Sequence, residues 1–250
     1  MVMDSLRRAG GGLLVAAGLA TALSPAALAG DFAVYPLRVE FAPGDRSAAV
    51  GVNNTGDKPI RFQLTLVAWT QEAEGKDVYR ESDDLIYCPR LFTVPAGEQG
   101  VVRVGPKRAS AGVERSYRLF VDELPDESEK PAASGITFSI RFAIPIFIGA
   151  AGARPQLAME PLVLTKGALQ ARVRNTGGAH FRIESMELKS DQGYTRTTDG
   201  WYLLAGASRL HALELPQPAC LAARRLELRI KTSDGAISGT ADVAADMCRQ

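Results

Sequence analysis

Val52-Asn53-Asn54-Thr55-Gly56-Asp57-Lys58-Pro59-Ile60-Arg61-Phe62 is answered 121 residues later by Val173-Arg174-Asn175-Thr176-Gly177-Gly178-Ala179-His180-Phe181-Arg182-Ile183. Both stretches carry a Val, an Asn-Thr-Gly and an apolar-Arg-apolar triplet at one spacing. Asn and Gly are residues that tight turns favour, and the flanking apolar residues belong in strands. The reading is one turn between two strands, used once in each of two similar domains. The competing reading is a chance likeness between two common Asn-Thr-Gly turns.

Working outward from the first copy, strand signals recur at short intervals with turn residues between them. Val34–Phe41, which Pro36 interrupts, ends at Pro43-Gly44-Asp45, and Ala48–Val52 ends at the quoted turn. Ile60–Thr70 sets Ile60, Phe62, Leu64, Leu66 and Ala68 against Arg61, Gln63 and Thr65, the period of two of a half-buried strand. A polar turn over Glu72–Asp77 follows, then Leu85–Val94, Gln99–Val104, Tyr117–Leu124 and Ile136–Ile148. These seven strands predict an all-β, immunoglobulin-like sandwich. A second set begins near Gln156, after the small-residue linker Gly149-Ala150-Ala151-Gly152-Ala153-Arg154-Pro155. The expected domains are therefore residues 30–149 and 150–250, and so short a linker predicts a fixed angle between them.

The composition agrees: 46% of the 250 residues are hydrophobic and 23% charged, which is globular. Lys and Arg total 29 against 28 Asp and Glu, so no nucleic-acid partner is expected. With only His180 and His211, a three-histidine metal site is excluded, and no metal or other cofactor is expected. Residues 1–29 read as a signal peptide. Arg7 and Arg8 precede the apolar Gly11–Leu23, and Ala27-Leu28-Ala29 offers an A-x-A cleavage site. Export makes a disulfide permissible. Cys220 and Cys248 lie near each other in sequence and are expected to pair, leaving Cys88 as a buried free thiol.

No chemistry of catalysis stands out. There is no G-x-S-x-G elbow, phosphate-cradling glycine loop or H-E-x-x-H, so the chain is not expected to be an enzyme or to take a small-molecule substrate. His180 and His211 read as solvated or strand-surface residues, and the acidic run Asp122, Glu123, Asp126, Glu127 and Glu129 as a solvated loop. Trp69 and Trp201 are too few and too scattered for an exposed aromatic binding platform. The unusual segment is Ile136-Thr137-Phe138-Ser139-Ile140-Arg141-Phe142-Ala143-Ile144-Pro145-Ile146-Phe147-Ile148, with Ile or Phe at every even position. Pro145 has no N–H for a ladder, which suits an edge strand. A long apolar edge is normally blunted. The reading is a strand kept to pair with another chain, with Ile136, Phe138, Ile140, Phe142 and Ile144 as its donor face. That face is expected to be largely exposed in the free protein. An ordinary core strand is the alternative for the segment, and a secreted binding or adhesion module the alternative for the protein.

With these pieces in order, the chain resembles the PapD-like periplasmic chaperones of the chaperone–usher pilus pathway. Ser82 to Gln99, with Pro95-Ala96-Gly97-Glu98-Gln99 at its end, is similar to that family's Pro-Gly-x-x-Gln stretch. Val101–Val104 resembles the strand after it. Glu114 to Pro125 resembles the family's Arg-Glu-Ser…Glu-Ile-Pro strand, and Asp234-Gly235-Ala236 its Asn-Asp-x-Gly-Ala. The resemblance implies two immunoglobulin-like domains in an L-shaped arrangement, located in the periplasm, binding pilus subunits and delivering them to an outer-membrane usher. It implies a cleft that takes a subunit's C-terminal carboxylate through an Arg on the first strand, here Arg38, and a Lys on the last strand of the first domain. That Lys is absent. Ala143 or Pro145 stands in its place, and Arg141 nearby is the expected substitute. Pro145-Ile146-Phe147 matches a Pro-x-Phe branch of the family, Phe120 replaces a family Asn, and the loop after Pro125 is of the short type. Glu114 and Asp234 match members of an interdomain salt-bridge network whose Arg is not evident here.

Overall fold

The computed structural model describes residues 31–72, 74–125 and 139–249. The first sandwich contains β1 (Phe32–Tyr35), β2 (Val39–Phe41), β3 (Ala48–Asn54), β4 (Ile60–Gln71), β5 (Asp77–Glu81), β6 (Leu85–Cys88), β7 (Leu91–Val94), β8 (Gln99–Pro106), β9 (Arg115–Leu124) and β10 (Arg141–Ile148). One sheet runs β1-β3-β8-β6; the other runs β2-β10-β9-β4-β5, with β7 also on β4. The second contains β11 (Leu157–Met159), β12 (Val163–Thr165), β13 (Ala168–Asn175), β14 (Phe181–Ser190), β15 (Thr195–Asp199), β16 (Tyr202–Leu203), β17 (Ser208–Glu214), the short helix α1 (Gln217–Ala222), β18 (Arg225–Thr232) and β19 (Gly235–Asp242). Its sheets are β11-β13-β12 with β17 on β13, and β15-β14-β18-β19 with β16 on β14.

Two prolines divide segments that read as single strands. At Pro36 the chain leaves β3's sheet and enters β10's, so β1 and β2 lie in opposite layers. At Pro89 it passes from β6, paired with β8, to β7, paired with β4. Proline cannot donate to a ladder, so pairing with one sheet stops at each. The polar turn after β4 is also shorter than expected. Asp77 already begins β5, whose Asp-Val-Tyr-Arg-Glu carries too little apolar pattern to announce a strand.

The repeated turn is the same device twice. The Nδ2 group of Asn54 donates to Lys58 O at 2.7 Å and Val94 O at 3.0 Å, while Oδ1 accepts from Gly56 N at 2.9 Å. Asn175 donates to Ala179 O at 2.7 Å and Leu203 O at 3.1 Å, and accepts from Gly177 N at 3.0 Å. Each Asn is 1% exposed. A short side chain with two donors and an acceptor ties the turn to a neighbouring strand, which accounts for Asn in both copies.

Each sandwich has its own core. Val50, Val52, Phe62, Val102, Leu119, Val121 and Ile146 are fully buried in the first, and Leu169, Val173, Leu188, Leu226, Leu228 and Ile230 in the second. Cys220, on α1, is bonded to Cys248 inside the second core, with Cα atoms 5.7 Å apart. Cys88 is free but exposed, which corrects the expectation of a buried thiol. In β6 Leu85 points inward and Ile86 outward, so alternation turns Cys88 to the solvent side of an edge strand.

Candidate functional site

The site is built on β10, and its two halves differ. Ile144, Ile146 and Ile148 are at most 2% exposed and belong to the first core. Ile140 and Phe142 are half-buried against that core, with the Phe142 ring edge-on to Phe32 at 5.4 Å. The expectation of a largely exposed donor face is therefore corrected: Ile144 is a core residue, because the opposite sheet closes over it. Ile136 and Phe138 lie outside the described residues.

The two edges of β10 also differ. Along one, β9 pairs with it from Arg141 to Ile148. Along the other, β2 runs parallel to it only over Ile146–Ile148. Glu123 N donates to Ile140 O at 3.0 Å, which turns the even residues' amides toward β9. The odd residues turn the other way: Arg141 and Ala143 present their N–H and C=O groups, and Pro145 its C=O alone, to a side where no described strand pairs with them. Pro145 is therefore an edge residue within a strand that is an edge for only part of its length.

The same parity sets which side chains face outward: Arg38 and Glu40, Pro145 and Phe147, Arg118, and Trp69 on four neighbouring strands. The second sandwich covers the lower part of this face. Trp69, Phe147, Tyr202 and Leu204 form a buried cluster, with Trp69 edge-on to Tyr202 at 5.7 Å. Gln71 fastens its rim: Nε2 donates to Tyr202 O at 2.9 Å, and Oε1 accepts from Leu204 N at 3.0 Å. Trp201 Nε1 donates to Asp77 Oδ2 at 3.0 Å.

His180 is the second tie. Its ring stacks on Phe147 at 3.5 Å, and its Nδ1 lies 2.7 Å from Glu114 Oε1, which also accepts the His180 backbone N–H at 3.0 Å. The His180 side chain is 11% exposed and that of Glu114 7%, so the reading of His180 as solvated is corrected. The second domain's repeated turn presses this residue into the first. Glu114 thus joins the two sandwiches through His180. Asp234 is exposed and bonds within its own turn, accepting from Ser233 Oγ at 2.8 Å. It does line, with Arg38, Glu40, Glu114, Phe147 and His180, a cavity of about 490 Å³ between the sandwiches.

Arg38 stands at the mouth of this cavity, its Nε 2.9 Å from Glu40 Oε1 and its side chain 45% exposed. Arg141 shares its face but not its level. The guanidinium is paired with Asp122, with Nη2 at 3.1 Å from Oδ2, and lies 4.9 Å from the Phe120 ring centroid. Arg141 lies four positions before Pro145, about 13 Å of strand. Arg141 is therefore not brought to Arg38, and the substitution expected of it is revised. The pairing with Asp122 raises its pKa.

Sequence reading missed Arg118. On β9 opposite Pro145, it is 2% exposed. Its guanidinium lies 3.8 Å from the Trp69 ring centroid and 5.1 Å from that of Trp201, and Nη1 donates to Ala143 O at 3.1 Å. Among the described residues Nε and Nη2 are buried without a partner in good hydrogen-bond geometry, with the Tyr79 hydroxyl as a neighbour. Burial pulls its pKa down, while Tyr79, Asp77 and Tyr202 pull the other way. The signal was its parity: an Arg facing outward beside an outward Trp is buried once another domain covers both. His211 was also misplaced. It is half-buried in β17 with Nε2 unpartnered, and burial with Arg209 nearby lowers its pKa to about 4.

Residues 31–153 match the family model described as pili and flagellar-assembly chaperone, PapD N-terminal domain. No curated protein sequence matches the chain. Among solved structures, the chain is similar to the CsuC–CsuE chaperone–tip subunit pre-assembly complex from archaic chaperone–usher Csu pili of Acinetobacter baumannii. That match has 21% identity and a TM-score of 0.62, covering 83% of this chain and 97% of that one. It is also similar to the YadV chaperone, at 16% identity and a TM-score of 0.60, covering 85% and 100%. The Salmonella enterica SafA pilin in complex with the SafB chaperone matches at 17% identity and a TM-score of 0.54, covering 85% and 96%. These likenesses extend over both sandwiches and agree with the two-domain immunoglobulin-like fold. Through its first sandwich, the chain belongs to the pili and flagellar-assembly chaperones with a PapD N-terminal domain.

Proposed function

We propose that this chaperone works in the periplasm, where it binds a pilus subunit by adding the open edge of β10 to the subunit's sheet, and passes the subunit to an outer-membrane usher. The observation that carries the reading is the asymmetry of β10. Its lower half is locked into the core, while Arg141, Ala143 and Pro145 turn their backbone groups to an edge without a described partner strand. Such an edge takes up an extended strand through main-chain hydrogen bonds, with side-chain pockets supplying specificity. Full burial of an Ile or Phe side chain contributes about 1.5–3 kcal/mol. Ile140 and Phe142 are already half-covered, so each has less than that to give. Association costs of about 4–15 kcal/mol leave main-chain pairing and a charged anchor to make the complex hold. The result is a complex that binds and still releases.

Arg38 is the proposed anchor for the subunit's terminal carboxylate, because it is a part-exposed cation at the mouth of the cavity beside β10. Its pairing with Glu40 is solvent-exposed and worth little to the fold. Arg38→Ala should therefore leave the melting temperature of the chaperone within a few degrees of the parent and abolish recovery of the co-purifying subunit from periplasm. Normal recovery would remove Arg38 from the site.

A further inference from the structure

We propose that His180 is a proton-controlled clasp between the two sandwiches, which grips the first sandwich more firmly at acid pH and loosens above the range in which histidine is charged. The clasp needs no bound partner and stands apart from the reading of β10. His180 sits in the turn between β13 and β14 of the second sandwich, yet its three closest side-chain neighbours belong to the first. Its ring lies flat on Phe147 of β10, with 9° between the planes. One ring nitrogen, Nδ1, is 2.7 Å from Glu114 Oε1, and the other, Nε2, is 3.9 Å from Glu40 Oε1. Glu114 precedes β9 and Glu40 lies on β2, so the imidazole stands between carboxylates from two elements of one sandwich.

A neutral imidazole has a single N–H. Given to Glu114, it leaves Nε2 as a lone pair facing a second acceptor. A proton turns Nε2 into a donor, and the ring then spans Glu114 and Glu40 with an N–H toward each. The buried partner gains most. Both hydrogen bonds described for the Glu114 carboxylate come from His180, one from its backbone and one from its ring. An imidazolium answers that buried charge with a charge of its own, and such bonds are about twice as strong as neutral ones. The face of Phe147 also attracts a cation. Other groups face the ring as well. Arg38 of β2 holds the same Glu40 oxygen at 2.9 Å, Asp234 of the β18–β19 turn lines the same cavity, and the Tyr202 ring of β16 is 5.6 Å away. Arg38 and Asp234 are exposed and opposite in charge, so water and salt screen them, while buried Glu114 sets the sign. A proton that strengthens a contact between two bodies favours the state in which they touch, so acidification closes the clasp and rising pH releases it. The rival role is a fixed aromatic prop on Phe147, the same at every pH.

The two roles separate in a measurement on the protein alone. The chain has only two histidines, so His211→Gln leaves His180 as its single imidazole. In that background the free, exposed Cys88 of the first sandwich takes one spin label, and Ser238→Cys, at an exposed position of β19, takes the other. Double electron–electron resonance then reads the distances between the sandwiches. The distribution should be broad at about pH 8 and narrow to one peak at about pH 5.5, the span over which histidine changes charge. His180→Gln keeps an N–H for Glu114 but takes up no proton, and should be equally broad at both. Glu40→Gln changes an exposed side chain outside either core and should lose part of the narrowing. A distribution that does not change with pH overturns the proposal and leaves His180 a prop. Narrowing retained in His180→Gln also overturns it, because the titrating group then lies elsewhere. Full narrowing in Glu40→Gln overturns the two-sided clasp.

Discussion

Asn54 and Asn175 tie the same turn in the two sandwiches with matching bonds, yet the strands around them end differently. In the second sandwich β18 alternates strictly, with Leu226, Leu228 and Ile230 inward and charged residues outward, and β19 beside it carries small and polar side chains apart from Ile237. In the first, β10 carries apolar residues inward along its whole described length and Phe147 outward, where the second sandwich receives it. Its upper part keeps an edge with no partner strand among the described residues. Both sandwiches thus end a sheet on an edge strand, small and polar in β19 and apolar in the upper part of β10, and the difference lies in what each strand is left to meet.

The sharpest way to break this comparison is Ile146→Asp. A charge placed at a fully buried position of the first core should cost several kcal/mol, a large share of the about 5–15 kcal/mol that holds a domain together. Hydrogen exchange should show β3, β4 and β9 unprotected while β13 and β18 keep their protection. Loss of protection in both sandwiches together would mean that the second does not stand on its own core.

The shared turn predicts matched losses. Asn54→Ala and Asn175→Ala each strand two or more buried carbonyls and a turn N–H, and each should lower stability by about 2–4 kcal/mol. Denaturant titration of the two variants checks this. A large effect at one position and none at the other would break the equivalence of the turns.

The smallest effect concerns pH and belongs to the second sandwich alone. His211 is held neutral in the fold, its pKa lowered from 6.5 to about 4 by burial and by Arg209. The unfolded chain takes up the proton first, so the contribution is fully present above pH 6.5 and is lost as pH falls toward 4. Between pH 6.5 and 5 the loss should be about 1–2 kcal/mol. Melting of His211→Gln should show a shallower decline over that range than the parent; parallel declines would remove His211 as the cause.

How much of this was legible follows from what sequence periodicity encodes. The inward face of β4 and the repeated turn follow from alternation, because alternation reports which side of a strand is apolar. It runs unbroken from Ile136 to Ile148, so it gave no sign of where β10's core face ends, and Ile144 was misassigned. Pro36 announced the break before Arg38. Alternation says nothing of what covers the outward side. Trp69, Arg118 and Phe147 share an outward face, and only the packing of the second sandwich turns that face into an interior. His180 was misread for the same reason: a turn residue looks solvated until another domain meets it. Arg141 looked like the missing cation because it shares β10 with the vacant position. Distance along the strand and the pairing with Asp122 keep it away from Arg38.

The central claim is that the upper half of β10 serves a partner while the lower half serves the fold. Ile140→Asp, measured by thermal melting and by subunit capture on the same preparation, tests it most directly. Ile140 is only half-buried at the margin of the first core, so the account predicts a melting temperature lowered by a few degrees at most, together with loss of subunit capture. A collapse of the first sandwich like that expected of Ile146→Asp, or undiminished capture by a folded Ile140→Asp chaperone, would contradict it.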